Sequence, residues 1–253
     1  MKPPVVRGLI RRRILVNFRV RRDVIQRLLP ESFRPKLVGG SAMAGICLIR
    51  LEQMRPRGLP WPAVGLSSEN AAHRIAAYRQ DERGQLEESV YIPRRDSSSW
   101  LNHWLGGRIF PGEHHRARFE AQDDGGRLVL SMRSADGQVA VDLRARTARA
   151  LPATSVFRTV GEASSFFEGG SLGYSKTRHD DRLDALYLCT YGWRVEPLEV
   201  ESVSSTFFED ERRFPIGSVE FDCALLMRDI PHEWQAAPRL ALTGRAIATG
   251  CPA

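Results

Sequence analysis

Lysine is almost missing from this chain. Of its 37 basic residues only Lys2, Lys36 and Lys176 are lysines, and the rest are arginines. A formal charge of +7 invites a nucleic-acid reading. A surface shaped for phosphate usually mixes both cations, however, and these arginines are scattered. The one concentration is Arg7, Arg11, Arg12, Arg13, Arg19, Arg21 and Arg22 near the front. No specific nucleic-acid partner is expected.

Long apolar runs are missing too. A membrane span needs ~20 such residues, and Ile14-Leu15-Val16 is walled in by arginines. Residues 1–20 also lack the apolar core of about 7–15 residues that a secretory signal requires. A cytoplasmic chain with no membrane partner is expected. Cysteine is sparse: Cys47, Cys189, Cys223 and Cys251 never form a C-x-x-C pair. That spacing supplies neither a structural zinc site nor a disulfide framework. Cys47 and Cys223 sit in apolar runs and read as small buried hydrophobes. The sequence calls for no metal and no cofactor.

What is present is strand signal. Ile14, Val16, Phe18 and Val20 alternate with Arg13, Leu15, Asn17, Arg19 and Arg21, the period of two that marks a strand. Asp23 is placed to cap a short helix carrying Val24, Ile25, Leu28 and Leu29, which Pro30 ends. Strands are predicted over Ala42–Leu51, Glu69–Tyr78 and Ser89–Arg95, with a Pro/Gly loop at 55–62 and a turn at 81–84. Trp100 to Gly107 carries a helical pattern. His115–Ala121, Arg127–Arg133 and Val139–Arg144 read as an antiparallel meander, split by Asp123-Asp124-Gly125-Gly126 and Ala135-Asp136-Gly137. A short helix at Ser164–Glu168 precedes strands at Leu183–Tyr191, Val200–Phe207 and Ser218–Leu226. No repeat or long linker divides the chain. The reading is one domain over residues 1–253, mainly β, with two or three short helices and a barrel or strongly curved sheet.

Three constellations carry chemistry. Glu69 and His73 share a strand face with Ala71, Ile75 and Ala77. Burying a carboxylate among small apolar residues is costly without a partner, so either an arginine neutralises Glu69 or the face is a polar pocket. Arg11 and Arg13 are the candidate partners. His115 lies on the apolar side of its strand with Ala117 and Phe119, while His114 is expected to face outward. A histidine so placed is more often a hydrogen-bonded core residue than a catalyst. Gly169-Gly170-Ser171-Leu172-Gly173 matches the G-x-S-x-G elbow of serine hydrolases, but that motif needs a strand before the serine and a helix after it. Here the pattern before it is helical.

The order of elements resembles the acetoacetate decarboxylase-like superfamily. The resemblance rests on Arg11-Arg12-Arg13-Ile14-Leu15-Val16-Asn17-Phe18-Arg19-Val20, on Pro30-Glu31-Ser32-Phe33, and on the run from Glu69 through Tyr91-Ile92-Pro93-Arg94-Arg95-Asp96 to Gly107-Arg108-Ile109-Phe110-Pro111. Arg55-Pro56-Arg57-Gly58-Leu59-Pro60 looks closest to a bacterial family of conserved proteins of unknown function within it. The resemblance implies a closed antiparallel β-barrel around a central cavity, often as a homo-oligomer. It also implies an arginine and a glutamate in that cavity, at positions matched here by Arg11 and Glu69. The decarboxylase lysine has no match, since Pro111 is followed by Gly112-Glu113-His114-His115.

The expected function is therefore a cavity that binds a small organic acid or ketone, with acid–base rather than Schiff-base chemistry. Glu69, His73 and His115 are the candidate catalytic groups, and Arg11 and Arg13 the candidate ligand-binding groups. The alternatives are a non-catalytic ligand-binding or interaction protein and, third, a serine hydrolase using Ser171.

Overall fold

One strand organises the rest of the chain. β1 (Val6–Val20) pairs antiparallel with two partners of very different sequence distance, β4 (Ser41–Pro56) and β13 (Val219–Ala241). The structure is a computed structural model and describes residues 5–58, 66–81, 84–99, 112–177 and 181–242. The predicted helix at 100–107, the end of the 55–62 loop, two residues of the 81–84 turn, Lys2 and Cys251 lie outside the described residues.

In chain order, α1 (Arg22–Leu28), β2 (Phe33–Pro35) and β3 (Leu37–Val38) link β1 to β4. β5 (Leu66–Gln80) and β6 (Leu86–Ser97) follow, then the meander β7 (His114–Asp123), β8 (Arg127–Ser134) and β9 (Ala140–Thr147). α2 (Val160–Glu168) leads into β10 (Leu172–Lys176), β11 (Arg182–Thr190), β12 (Glu196–Ser205) and β13. The class is mainly β, as expected. α1 differs at its start: Arg21 holds the cap position without a side-chain cap, and Asp23 lies in the first turn, where it accepts from Arg21. At α2 the Thr159 hydroxyl accepts from the Glu162 amide.

The sheet closes on itself twice. The path β13–β1–β4–β5–β6 returns from β6 to β13 either through β10 and β11 or through β7, β8, β9 and β12. β6 makes two of its pairings, with β10 and β7, in parallel, and the other ladders are antiparallel. β13, β1, β4 and β5 consequently have a core on each side. Ile14, Val16, Ile46, Leu48, Ala71 and Ile75 pack with Leu128, Leu130, Met132, Val141 and Leu143 of the meander. On the other side Leu15, Met43, Cys47, Ile49 and Leu225 pack with Ala163 and Phe167 of α2.

This overturns the one-sided reading of β1. Leu15 and Asn17, placed by alternation on the polar face, are buried, and every residue from Ala42 to Ile49 in β4 is buried. The close approach of β1 and β4 depends on Gly45, because a Cβ there would collide with the carbonyl oxygen of Val16. No helix among the described residues is long and apolar enough to cross a membrane.

Candidate functional site

A cavity of about 100 Å³ opens on the α2 side of the common path. β1 contributes Arg13, β4 Cys47, β5 Asn70 and Arg74, β6 Arg95, and the first residue of β7 His114. Apart from Asp96, its walls are otherwise small or apolar, with Ala72, Ile92, Gly173, Leu186 and Phe167 among them.

Three guanidinium groups line this space, and among the described residues none has a carboxylate within ion-pair distance. Arg13 donates from Nε to Cys47 Sγ at 3.3 Å and lies 5.5 Å from the centre of the Trp193 ring. Its Nη1 is buried and has no hydrogen-bond partner among the described residues. Arg74, only 7% exposed, donates to Asn17 Oδ1 and lies 4.8 Å over the Phe167 ring, and its Nε has no partner. Arg95 donates from Nε to Ser175 Oγ at 2.8 Å. Burial brings both Arg74 and Arg95 down to about 10, so both are still cations at neutral pH.

The contrast is the neighbouring Arg94. It meets Asp96 and Asp136, each at 2.9 Å. Asp96 also lines the cavity, but Arg94 holds its carboxylate from both Nε and Nη2. Buried charges are ordinarily paired, because unpaired burial costs several kcal/mol. Three lining cations with no counter-charge of their own among the described residues make this cavity complementary to an anion, and guanidinium groups suit carboxylate geometry.

Of the five candidate catalytic and ligand-binding residues, Glu69, His73, His115, Arg11 and Arg13, four fall elsewhere. Glu69 is paired, but by Arg12 and not by Arg11 or Arg13: Arg12 Nη2 donates to both carboxylate oxygens, at 3.1 and 2.9 Å. The register between β1 and β4 slips between Ile10 and Arg12, which turns Arg12 toward Glu69. Arg11 is left at the surface with Glu52 and Asp229. Arg13 is the exception, and it faces the cavity. Burial raises the pKa of Glu69, opposed by Arg12 and Arg50.

His73 shares the Glu69 face, as expected, but that face belongs to the meander-side core. The ring is fully buried, 4.3 Å from that of Phe207, and burial brings its pKa down to about 3. It is a neutral core histidine, and it lines neither this cavity nor the second one described next. His115 and His114 keep the expected parity, yet the outcome differs. His115 is partly exposed, lies 3.3 Å from Asp136 Oδ2 through Nδ1, and lines a second cavity of about 330 Å³ with Arg94, Lys176 and Arg213. His114, expected to face outward, is buried and lines the first cavity, because the start of β7 lies between the two spaces. Its Nδ1 lies 3.2 Å from the Gly112 carbonyl oxygen.

Ser171 sits at the cavity edge with a helix before it and a strand after it, the reverse of a nucleophile elbow. Neither described lysine lines the first cavity: Lys36 donates to Glu88 and to the Phe166 carbonyl, and Lys176 lines the second. Among the described residues no group of three or more His, Cys, Asp or Glu side chains is placed to hold a metal.

Arg74, Arg95 and Cys47 were missed because alternation was read from one face only. A signal was available in Ala71-Ala72-His73-Arg74-Ile75-Ala76-Ala77, where a lone arginine stands on a face of alanines. Such a residue is either solvated or deliberately buried.

Several solved structures share the fold. An acetoacetate decarboxylase from Legionella pneumophila aligns with a TM-score of 0.58 at 12% identity, over 97% of this chain and 88% of its own. The enduracididine biosynthesis enzyme MppR, complexed with the condensation product of pyruvate and imidazole 4-carboxaldehyde, gives 0.58 at 12%, over 96% and 90%. An acetoacetate decarboxylase-like enzyme from Sphingomonas wittichii RW1 gives 0.55 at 14%, over 95% and 94%. No curated protein matches the sequence significantly. The family model of an uncharacterized conserved protein, DUF2071, matches residues 9–215. With most of its length matched, and with the acetoacetate decarboxylase-like fold behind it, the chain belongs to the DUF2071 family.

Proposed function

We propose that this protein binds a small organic acid in the cavity lined by Arg13, Arg74 and Arg95, with the carboxylate on the guanidinium groups. The observation that carries this reading is their lack of any acidic partner among the described residues, beside an Arg94 that has two. The volume supports a small ligand. About 100 Å³ compares with the ~150 Å³ that accepts benzene in an engineered cavity, which puts the ligand at roughly three to six heavy atoms. The acids named with the structural neighbours, acetoacetate and a pyruvate-derived product, fall in or near this chemical class.

A second reading places proton transfer at the larger cavity. There Asp136 holds His115 through Nδ1, an arrangement that orients an imidazole for acid–base work. Glu69 and His73 lack such access, each being engaged in or behind the meander-side core.

The test compares propionate with propionamide, its uncharged counterpart, by thermal shift and calorimetry. Propionate is expected to bind and raise Tm, propionamide to do neither, and Arg74→Met to abolish the difference. Equal effects of the two compounds would refute an anion site.

A further inference from the structure

The thiol of Cys47 stands among the cations that have no acidic partner among the described residues. The residue sits in the middle of β4, is 7% exposed, and lines the arginine cavity, where its sulfur accepts from Arg13 Nε. Cys223 is a different kind of thiol. It is fully buried, takes a hydrogen bond from Asn17, and has its pKa pushed up to about 12 by burial. A cysteine alone would mean little. Two further facts concern the ligand: Arg74, 93% buried, has an Nε with no partner, and Nη1 of Arg13 is likewise open. Both arginines line the same space as the sulfur.

We propose that Cys47 adds reversibly to the carbonyl carbon of a small 2-oxo acid seated on these arginines. The proposal rests on the carboxylate reading given above. Because Arg13 touches the sulfur, a carboxylate held by Arg13 and Arg74 brings the atom next to it toward Sγ. In a 2-oxo acid that atom is the electrophilic carbon, whereas in a 3-oxo acid it is a methylene.

The step balances without a co-reactant. A sulfur electron pair forms the C–S bond, the C=O π pair moves onto oxygen, and the thiol proton ends on that oxygen. The product is a thiohemiketal. Guanidinium N–H groups lining the cavity are donors for the oxygen as charge develops on it. Cysteine thus takes the covalent role in a cavity that no described lysine lines.

The experiment uses the full chain with pyruvate carrying ¹³C at carbon 2, and with propionate, which lacks the carbonyl. The native protein is expected to bind pyruvate at least about tenfold tighter than propionate, or about 1.4 kcal/mol. A tetrahedral carbon-2 resonance distinct from that of free hydrated pyruvate is expected with it. Cys47→Ala and Cys47→Ser should both lose the resonance and the preference while still binding propionate, and that retained binding shows that they fold. Equal affinity for the two acids, with no protein-dependent tetrahedral resonance, overturns the covalent step and leaves the carboxylate site standing. If neither acid binds the native protein, the carboxylate site falls and the covalent step with it.

Discussion

Replacing Arg74 and Arg94 in turn by methionine should give very unequal losses of stability from two buried arginines one strand apart. Burial holds the Arg74 guanidinium at about 10. At about 1.4 kcal/mol for each pH unit below the ordinary arginine value, its charge costs the fold on the order of 3 kcal/mol. That cost is present throughout the pH range below 10, so at pH 7 Arg74→Met removes it. Against the gain stand the Asn17 carbonyl left without its donor, about 1–3 kcal/mol, and the contact over Phe167, about 1–2 kcal/mol. The opposing effects nearly cancel, and a net change within about 2 kcal/mol is expected. Arg94→Met has no such relief. It strands Asp96, which is fully buried, at a cost of about 3–5 kcal/mol. For a chain of this size, at about 2 °C per kcal/mol, that lowers Tm by roughly 6–10 °C. Urea unfolding with and without propionate measures both effects. At a hundredfold excess over Kd the acid should add about 2.7 kcal/mol to the native protein and almost nothing to Arg74→Met. The reasoning fails if Arg74→Met loses as much stability as Arg94→Met, or if propionate protects it like the native chain.

His73 should make the fold acid-sensitive. The unfolded chain takes up a proton near pH 6.5 that the folded ring refuses until about 3, so stability falls as pH drops through that window. At pH 5 this amounts to about 2 kcal/mol, and His73→Leu should remove it from urea midpoints compared at pH 7 and 5. His232, held near 4 by burial, adds a similar loss between 6.5 and 4 that His73→Leu leaves intact. For the Arg12–Glu69 pair, a double-mutant cycle of Arg12→Ala with Glu69→Gln should give a coupling of about 1–2 kcal/mol at pH 7. Propionate affinity should not change in either single variant, and a large loss would place Glu69 in the ligand site after all.

Most strands were legible because their apolar period survives in the sequence: the meander from β7 to β9 and the core of β1 needed no tertiary knowledge. β10 was not. Leu172 to Lys176 follows a glycine pair and reads as the start of a polar stretch, and it becomes a strand only because β6 and β11 pair with it. The sequence pattern ends β13 at Leu226, but the strand runs to Ala241, because Pro231 and Glu233 interrupt its apolar pattern while β1 and β11 still pair across them. The site was hidden for a related reason. Alternation names an inner and an outer face, and on a strand with a core on each side both are inner. Arg74 and Arg95 therefore read as solvated charges, while Glu69 and His73 read as the exceptions.

The pairing of β1 with β13 sets a timetable for synthesis. Val6 leaves the ribosome roughly 230 residues ahead of its ladder partner Trp234. At about 5–20 residues per second, the first strand waits on the order of ten to forty seconds for its second neighbour. Until then β1 carries apolar groups on both sides and an open backbone edge. A nascent chain of this architecture has a built-in need for something to shield its leading segment, and one cut short of β13 leaves that edge bare for good.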